Sequence, residues 1–405
     1  MKFISDKVEV EKPFLELCDK IQECGSFIHP DVIIECSAGN MRIRAPETIK
    51  EGERLISLTA RCLLPYRKFK FDLNQSQIVI KYYDDDLASE QVEMMQLMLK
   101  LFNALDKFAQ HSKTSTRSLY YKDREFLDLL FKMRSDGQKN YGRFQGVTLN
   151  EFLLDDFFHS RVLGVKNELY QNPYFTHADA NQRAKIQVCM PIMDCINHHP
   201  NSLGFQYSPG PKLTVRNSKP IADNDECFVI YGLYDAVDML FAYGYPEPHA
   251  KYVRSVPLTI DFGSQTINVL SSLRRVKHAN LKPHLKNLEF FLPRIVIKPE
   301  KKTVELSHLY IPQETAPNAL RRVLKHALSK LDSGIQEGDT VAMVLKAEKE
   351  IIDANLRYYR DLLKMLAQRE TAPGTEQIVE NVVSVANIQI EKIQNYPHFQ
   401  DTSVG

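Results

Sequence analysis

The sequence predicts an α+β chain. Small β regions flank a helical insert, and a mostly helical region follows toward the C-terminus. Three observations carry this. The texture runs from short strands to helices, back to short strands, then to helices, without the regular strand–helix alternation of a parallel sheet. No strand–GxGxxG–helix unit is present, which removes the usual dinucleotide-binding architecture. The 405 residues, 43% hydrophobic and 25% charged, suffice for two or three ordinary globular cores.

The elements follow in order. DVIIEC is an apolar run from residue 31, SAGN is a turn and MRIRA alternates, so 31–64 reads as short strands, with ERLISL after the Lys50-Glu51-Gly52 turn. From about 89 to 110, Val92, Met95, Met98, Leu99, Phe102 and Leu105 recur at helical spacing. A second helix is predicted over 123–134. A third starts at Thr148, which forms a capping box with Glu151, and runs toward Arg161. IQVCMPIMD, FQYSP, KLTVRN and ECFVIYG return the chain to short strands over 186–245, followed by one short helix at 235–243. VPLTIDFG and FFLPRIVIKP read as strands. NALRRVLKHALSKL, the long run from Asp339 to Gln368, and 376–394 read as helices, with a loose tail after Pro397.

Composition excludes several classes. Lys+Arg is 52 and Asp+Glu is 51, a net charge of +1, so nucleic-acid binding driven by bulk charge is not expected. No apolar run reaches the roughly 20 residues that span a bilayer, and Met1 to Lys20 carries charges where a signal peptide would be apolar. No membrane role is expected. Cys18, Cys24, Cys36, Cys62, Cys189, Cys195 and Cys227 form no CxxC pair, which disfavours a disulfide framework or a zinc cluster. The cytoplasm is the expected compartment, with no bipartite basic run to argue for the nucleus.

Two segments concentrate chemistry. In MPIMDCINHHP, a strand runs into Asp194, Asn197, His198 and His199. Alone this is as readily a polar turn. Zinc ligation is disfavoured, because adjacent histidines rarely face one ion and no second cluster completes the site. In NDECFVIYGLYDAVDMLFAYGYP, a strand ends at Tyr231-Gly232 and a helix ends at Tyr243-Gly244. Either tyrosine alone is more often packing than catalysis.

Taken together, the segments resemble a SET domain of the Rubisco large-subunit lysine methyltransferase type. That family shows Pro-x-x-Asp-x-x-Asn-His, here Pro191, Asp194, Asn197 and His198. It then shows an acidic pair, a strand, Tyr-Gly, a short helix and Tyr-Gly-Phe. Here these are Asp225-Glu226, CFVI, Tyr231-Gly232, and Tyr243-Gly244-Tyr245. Ser160-Arg161 matches a Ser-Arg at the end of the insert helix. Ala45, Ile49 and Gly52-Glu53 match the opening strand–turn–strand. The resemblance covers about 30–250.

The resemblance implies several small sheets around a knot-like crossing. It places a helical lead-in at 1–29, a SET domain at 30–250 with a helical insert at about 66–185, and a helical substrate-docking domain at 251–405. It implies transfer of methyl from S-adenosyl-L-methionine to a lysine of a non-histone protein by a monomer without a metal. Tyr231 and Tyr243 would line the lysine channel and orient the amine. Asn197, His198 and Tyr231 would meet the cofactor, and Arg161 its carboxylate. Asn40 and Arg42 would also meet the cofactor; they stand where the family's opening strand carries Gly-x-Gly, and Ala236 stands where it often has Asn. That replacement of glycines keeps a second reading open, a non-catalytic SET-fold binding module. A third keeps the enzyme and makes histidine the acceptor.

Overall fold

The computed structural model describes residues 1–37, 39–134, 142, 144–165, 186–208, 212–218, 226–263, 265–272, 283–313, 318–331 and 337–396. Asp225 and the tail after Pro397 lie outside them. Two compact units form, and each takes two stretches of chain. The first contains Met1–Ser112 and Thr148–Leu233; the second contains Lys113–Val147 and Tyr234–Gly405.

The helices follow in chain order. They are α1 (Val8–Glu23), α2 (Ser89–Ala104), α3 (Lys107–Thr114), α4 (Leu119–Lys122), α5 (Arg124–Phe131), α6 (Leu149–His159), α7 (Ala236–Tyr243), α8 (Ala319–Leu331), α9 (Glu337–Gln368) and α10 (Glu376–Gln394). The expected continuous helix over 89–110 is two. Asp106 takes φ 52 between them, a left-handed backbone that Asp tolerates better than most residues. At α6, Thr148 and Glu151 form the reciprocal capping box.

In the first unit, β1 (Lys2–Ser5), β3 (Ile33–Ser37) and β4 (Asn40–Arg44) make one sheet in the order β1-β3-β4. A second runs β12-β13-β5-β2, from β2 (Phe27–Ile28), β5 (Arg54–Thr59), β12 (Gln206–Ser208) and β13 (Lys212–Arg216). A third runs β6-β10-β9, from β6 (Leu64–Pro65), β9 (Val162–Val165) and β10 (Ile186–Cys189). β11 (Asn197–His198) pairs in parallel with β14 (Phe228–Val229). These sheets close over one core, in which Phe14, Leu17 and Ile21 of α1 meet Met95 and Met98 of α2. The stretch read as a helical insert also holds a hairpin, β7 (Phe69–Asn74) with β8 (Gln77–Tyr83).

The second unit has its own core. Leu119, Phe126, Leu127 and Leu130 pack there with Leu240, Val253, Leu320 and Leu362. Its strands are β15 (Tyr252–Arg254), β16 (Leu258–Asp261), β17 (Thr266–Val269), β18 (Ile295–Lys298), β19 (Thr303–Leu306) and β20 (Tyr310–Pro312). They form a β15–β20 pair and a sheet in the order β16-β17-β19-β18. Arg321 on α8 grips the Glu348 carboxylate on α9 through Nε at 2.9 and 3.0 Å, and the Tyr396 hydroxyl donates to the same carboxylate at 2.8 Å. Among the described residues, no helix is long and apolar enough to cross a membrane.

Candidate active site

The first unit gathers most of the residues singled out in the sequence. Parallel pairing sets Asn197 beside Phe228 and His198 beside Val229. The Tyr231 amide donates to His198 Nδ1 at 3.0 Å, and the Val229 carbonyl lies 3.2 Å from the same nitrogen. A backbone N–H can only donate, so this contact claims the Nδ1 lone pair and puts the ring proton on Nε2. Burial pushes His198 down to about 4, so the ring is neutral near pH 7. The histidine is therefore a splice between the two motifs.

Asn197 is on the exposed side of the same strand. Its amide donates to Glu226 Oε1 at 2.8 Å. Glu226 also bridges Arg44, and the Cys227 amide donates to the Ile43 carbonyl at 2.8 Å. Residues 226–229 thus lie between β4 and β11, so Glu226 joins Asn197 to the strand of Asn40 and Arg42. Arg42 is engaged across its own hairpin, where Nε donates to Glu35 Oε2 at 3.0 Å. That bond and the arginine charge hold Glu35 below the usual carboxylate range. Asn40 is exposed and pairs with Ser37 across the turn.

Tyr231 donates its hydroxyl to the Ile196 carbonyl at 2.6 Å. Burial first, then the Asp194 charge, pushes the phenol well above its ordinary range, so it stays protonated at any physiological pH. Arg161 follows α6. Its Nη1 donates to the Phe157 carbonyl and Ser160 Oγ at 3.1 and 2.9 Å. Its guanidinium lies 3.8 Å from the centre of the Phe157 ring, a stacked cation–π contact. Asp194 and Tyr231 both act on Arg161 electrostatically.

Asp194 sits in a short turn, Met193–Cys195. The turn is entered through Ile192 at φ 66, ψ −41, with the Met193 amide donating to the Pro191 carbonyl at 2.8 Å. That is the rare form of the γ-turn. A β-branched residue there stores about 1–3 kcal/mol of strain. Burial raises the Asp194 carboxyl to about 6, against the opposing pull of Arg161 and Lys107. A folded-state value above the ordinary 3.8 means the folded state binds the proton more tightly. Its contribution to stability is present below pH 4 and lost as pH rises through 6. Asp194→Asn should flatten that part of the stability–pH curve. Chemical denaturation at pH 4 and pH 7 checks it, and an unchanged slope would mean that Asp194 titrates normally.

Tyr243 belongs to the second unit. It ends α7, with its ring 6.0 Å from Tyr234 and 6.2 Å from Tyr245. Gly244 caps the helix at φ 79. A Cβ there would lie 2.8 Å from the Thr114 carbonyl oxygen and from its Oγ1. Gly244→Ala should therefore destabilise by roughly 2–4 kcal/mol, from left-handed strain plus overpacking. A denaturant midpoint measures it, and a cost below about 1 kcal/mol would show that Thr114 yields.

No protein-family model matches the sequence, and no curated protein matches it significantly. Solved structures similar to this chain include the SET domain of LSMT bound to lysine and AdoHcy, at 12% identity and TM-score 0.43, covering 96% of this chain and 90% of that one. Another is Rubisco LSMT bound to sinefungin and monomethyllysine, at 12% and 0.42, covering 95% and 90%. Likeness of that degree carries neither a fold nor an activity across.

The sequence reading missed two things here. It took Glu226 only as half of an acidic pair, and it gave no role to Lys107, whose charge acts on both Arg161 and Asp194. Asp106, a poor helix-interior residue just before Lys107, was the available signal.

Proposed function

We propose that the chain is an S-adenosyl-L-methionine-dependent methyltransferase acting on a lysine side chain of a non-histone protein. The supporting observation is the splice at His198, which joins Asn197-His198 and Tyr231, residues more than 30 positions apart, through one backbone-to-ring hydrogen bond. Around it the donor set suits the cofactor. Arg161 uses only Nη1 for hydrogen bonds among the described residues, and a planar guanidinium matches a carboxylate. The Asn197 amide is exposed beside Glu226, and the Tyr231 hydroxyl, its hydrogen given to Ile196, offers an acceptor oxygen.

The bound cofactor supplies an electrophilic methyl group on a sulfonium. The protein's task is to present a neutral amine in line. Free lysine titrates near 10.4, so partial burial must favour the uncharged form. Tyr231 is held protonated by burial and so does not act as a base. Its oxygen and the Ile196 carbonyl accept N–H from the incoming amine and orient its lone pair. Most of the rate then comes from positioning. Tyr243 is assigned a part from the sequence resemblance, as is docking of the substrate protein on the C-terminal helices.

The test is calorimetry of S-adenosyl-L-methionine with the full chain, followed by mass spectrometry for methylated lysine in candidate proteins. Micromolar binding, about −8 kcal/mol, that is lost in Asn197→Ala is the expected result. Absence of binding by the folded protein would rule the enzyme out.

A further inference from the structure

Lys107 is placed by a built turn. α2 stops at Ala104, Asp106 takes its left-handed backbone, and Lys7 fastens both ends of the turn. Its Nζ donates to the Ala104 carbonyl at 3.1 Å and lies 3.5 Å from the Asp106 carboxylate. On the next turn, the Gln110 amide donates to the Leu105 carbonyl at 3.0 Å. A Cβ on Gly39, in the β3–β4 turn, would run into that amide. The start of α3 is therefore pinned against the β3–β4 hairpin.

The same helix converges on Arg161 through one ring. Phe108 and His111 lie 5.9 and 5.6 Å from the Phe157 ring, and the Arg161 guanidinium stacks on it at 3.8 Å. His111 is held there by Asp156 at 3.1 Å. Asp194 is tied to the same hairpin. Its neighbour Cys195 touches Met41 Sδ at 3.6 Å and the Asp194 carboxylate at 3.8 Å. Lys107 lies within the electrostatic reach of Arg161, Cys195, Asp194 and Cys36.

Three elements thus bring two cations and one carboxylate together. Burial keeps the Cys195 thiol protonated, so the cluster has a positive excess at neutral pH. Burial and the Arg161 charge both lower the Lys107 ammonium from its ordinary value. A purely structural ion pair would need one cation, and a second one in a partly desolvated place is unfavourable. Lys107 makes no hydrogen bond among the described residues, and Arg161 commits only Nη1. Together they offer unspent donors to a carboxylate, one as a planar fork and one as a mobile point charge.

We propose that Lys107 is the second cation of the subsite that receives the carboxylate of an α-amino-acid group, acting with Arg161, while Asp194 offsets their mutual repulsion. This rests on the cofactor reading above, since the amino-acid end of S-adenosyl-L-methionine carries that carboxylate.

The experiment titrates the full chain with S-adenosyl-L-methionine and with its decarboxylated analogue, for wild type, Lys107→Gln and Lys107→Arg. Loss of one charge-assisted contact should weaken the parent ligand about 10–100-fold in Lys107→Gln. Binding of the analogue should not change, and Lys107→Arg should restore most of the loss. Thermal melts establish that each variant is folded. If wild type binds the parent ligand and Lys107→Gln weakens both ligands equally, or neither, the inference is overturned while the cofactor reading stands. Wild type that prefers the analogue, or equals it, overturns the inference without any variant. Wild type that binds neither ligand overturns the cofactor reading and the inference with it.

Discussion

Asp238→Ala is expected to destabilise the second unit by about 3–5 kcal/mol, the usual consequence of leaving buried charge without its partner. The carboxylate takes Arg134 Nη2 at 2.7 Å and Arg254 Nη2 at 2.8 Å, and all three side chains are almost wholly enclosed. Burial alone would raise its titration, but the two guanidinium groups hold it below the ordinary range. Asp238 is also the third residue of α7, where it closes a capping box with Asp235. Asp235 in turn accepts from the Arg254 amide at 2.9 Å and the Gln389 amide at 3.2 Å. Truncation therefore takes the shared carboxylate from two buried arginines and loosens the first turn of the helix that ends in Tyr243. Equilibrium unfolding in urea measures the effect. An apolar triple replacement, Asp238→Leu with Arg134→Met and Arg254→Met, should recover part of the stability, because it removes the two arginines with their shared carboxylate and leaves Asp235 its bonds from the residue 254 and Gln389 amides. A cost below about 1 kcal/mol for Asp238→Ala would mean that water reaches the cluster.

Tyr231→Phe is expected to lower methyl transfer about 100–1000-fold, the range seen when one preorganised polar group at a reacting centre is removed. Cofactor affinity should change only a few-fold, because the amide that binds His198 belongs to the backbone and survives the substitution. The ring packs 5.2 Å from His198, and phenylalanine keeps that contact. Only the oxygen is removed, together with its 2.6 Å bond to Ile196. Single-turnover kinetics alongside calorimetry separates transfer from binding. Unchanged turnover would remove Tyr231 from the chemistry.

Local rules explain which elements were readable. Thr148 with Glu151, the helical spacing in α2 and the alternation in MRIRA specify their structures with little outside help. The β7–β8 hairpin was not readable because its turn lacks glycine. Gln75 and Ser76 both take positive φ, at 49 and 68, positions that sequence reading reserves for Gly, Asn or Asp. Asp106 breaks a helix in the same left-handed region without a glycine to announce it. In the site, the order of Asn197, His198 and Tyr231 was readable, but the reason they meet was not. That reason is a two-residue parallel pairing, too short to leave a periodic pattern. The γ-turn at Ile192 runs against the preference of its residue type, so only the folded chain reveals it.

The path of the chain sets limits on how the protein can be made and divided. Residues 113–147 leave the ribosome before the rest of their own unit, Tyr234 onward, has been translated. Until then Leu119, Phe126, Leu127 and Leu130 have no finished core to enter, a period in which exposed apolar surface favours misassembly. A fragment cut near residue 233 carries α4 and α5 without their packing partners. The complementary C-terminal fragment lacks the same two helices. Expression of either piece should give insoluble or poorly folded material, and supplying 113–147 in trans should help only the second.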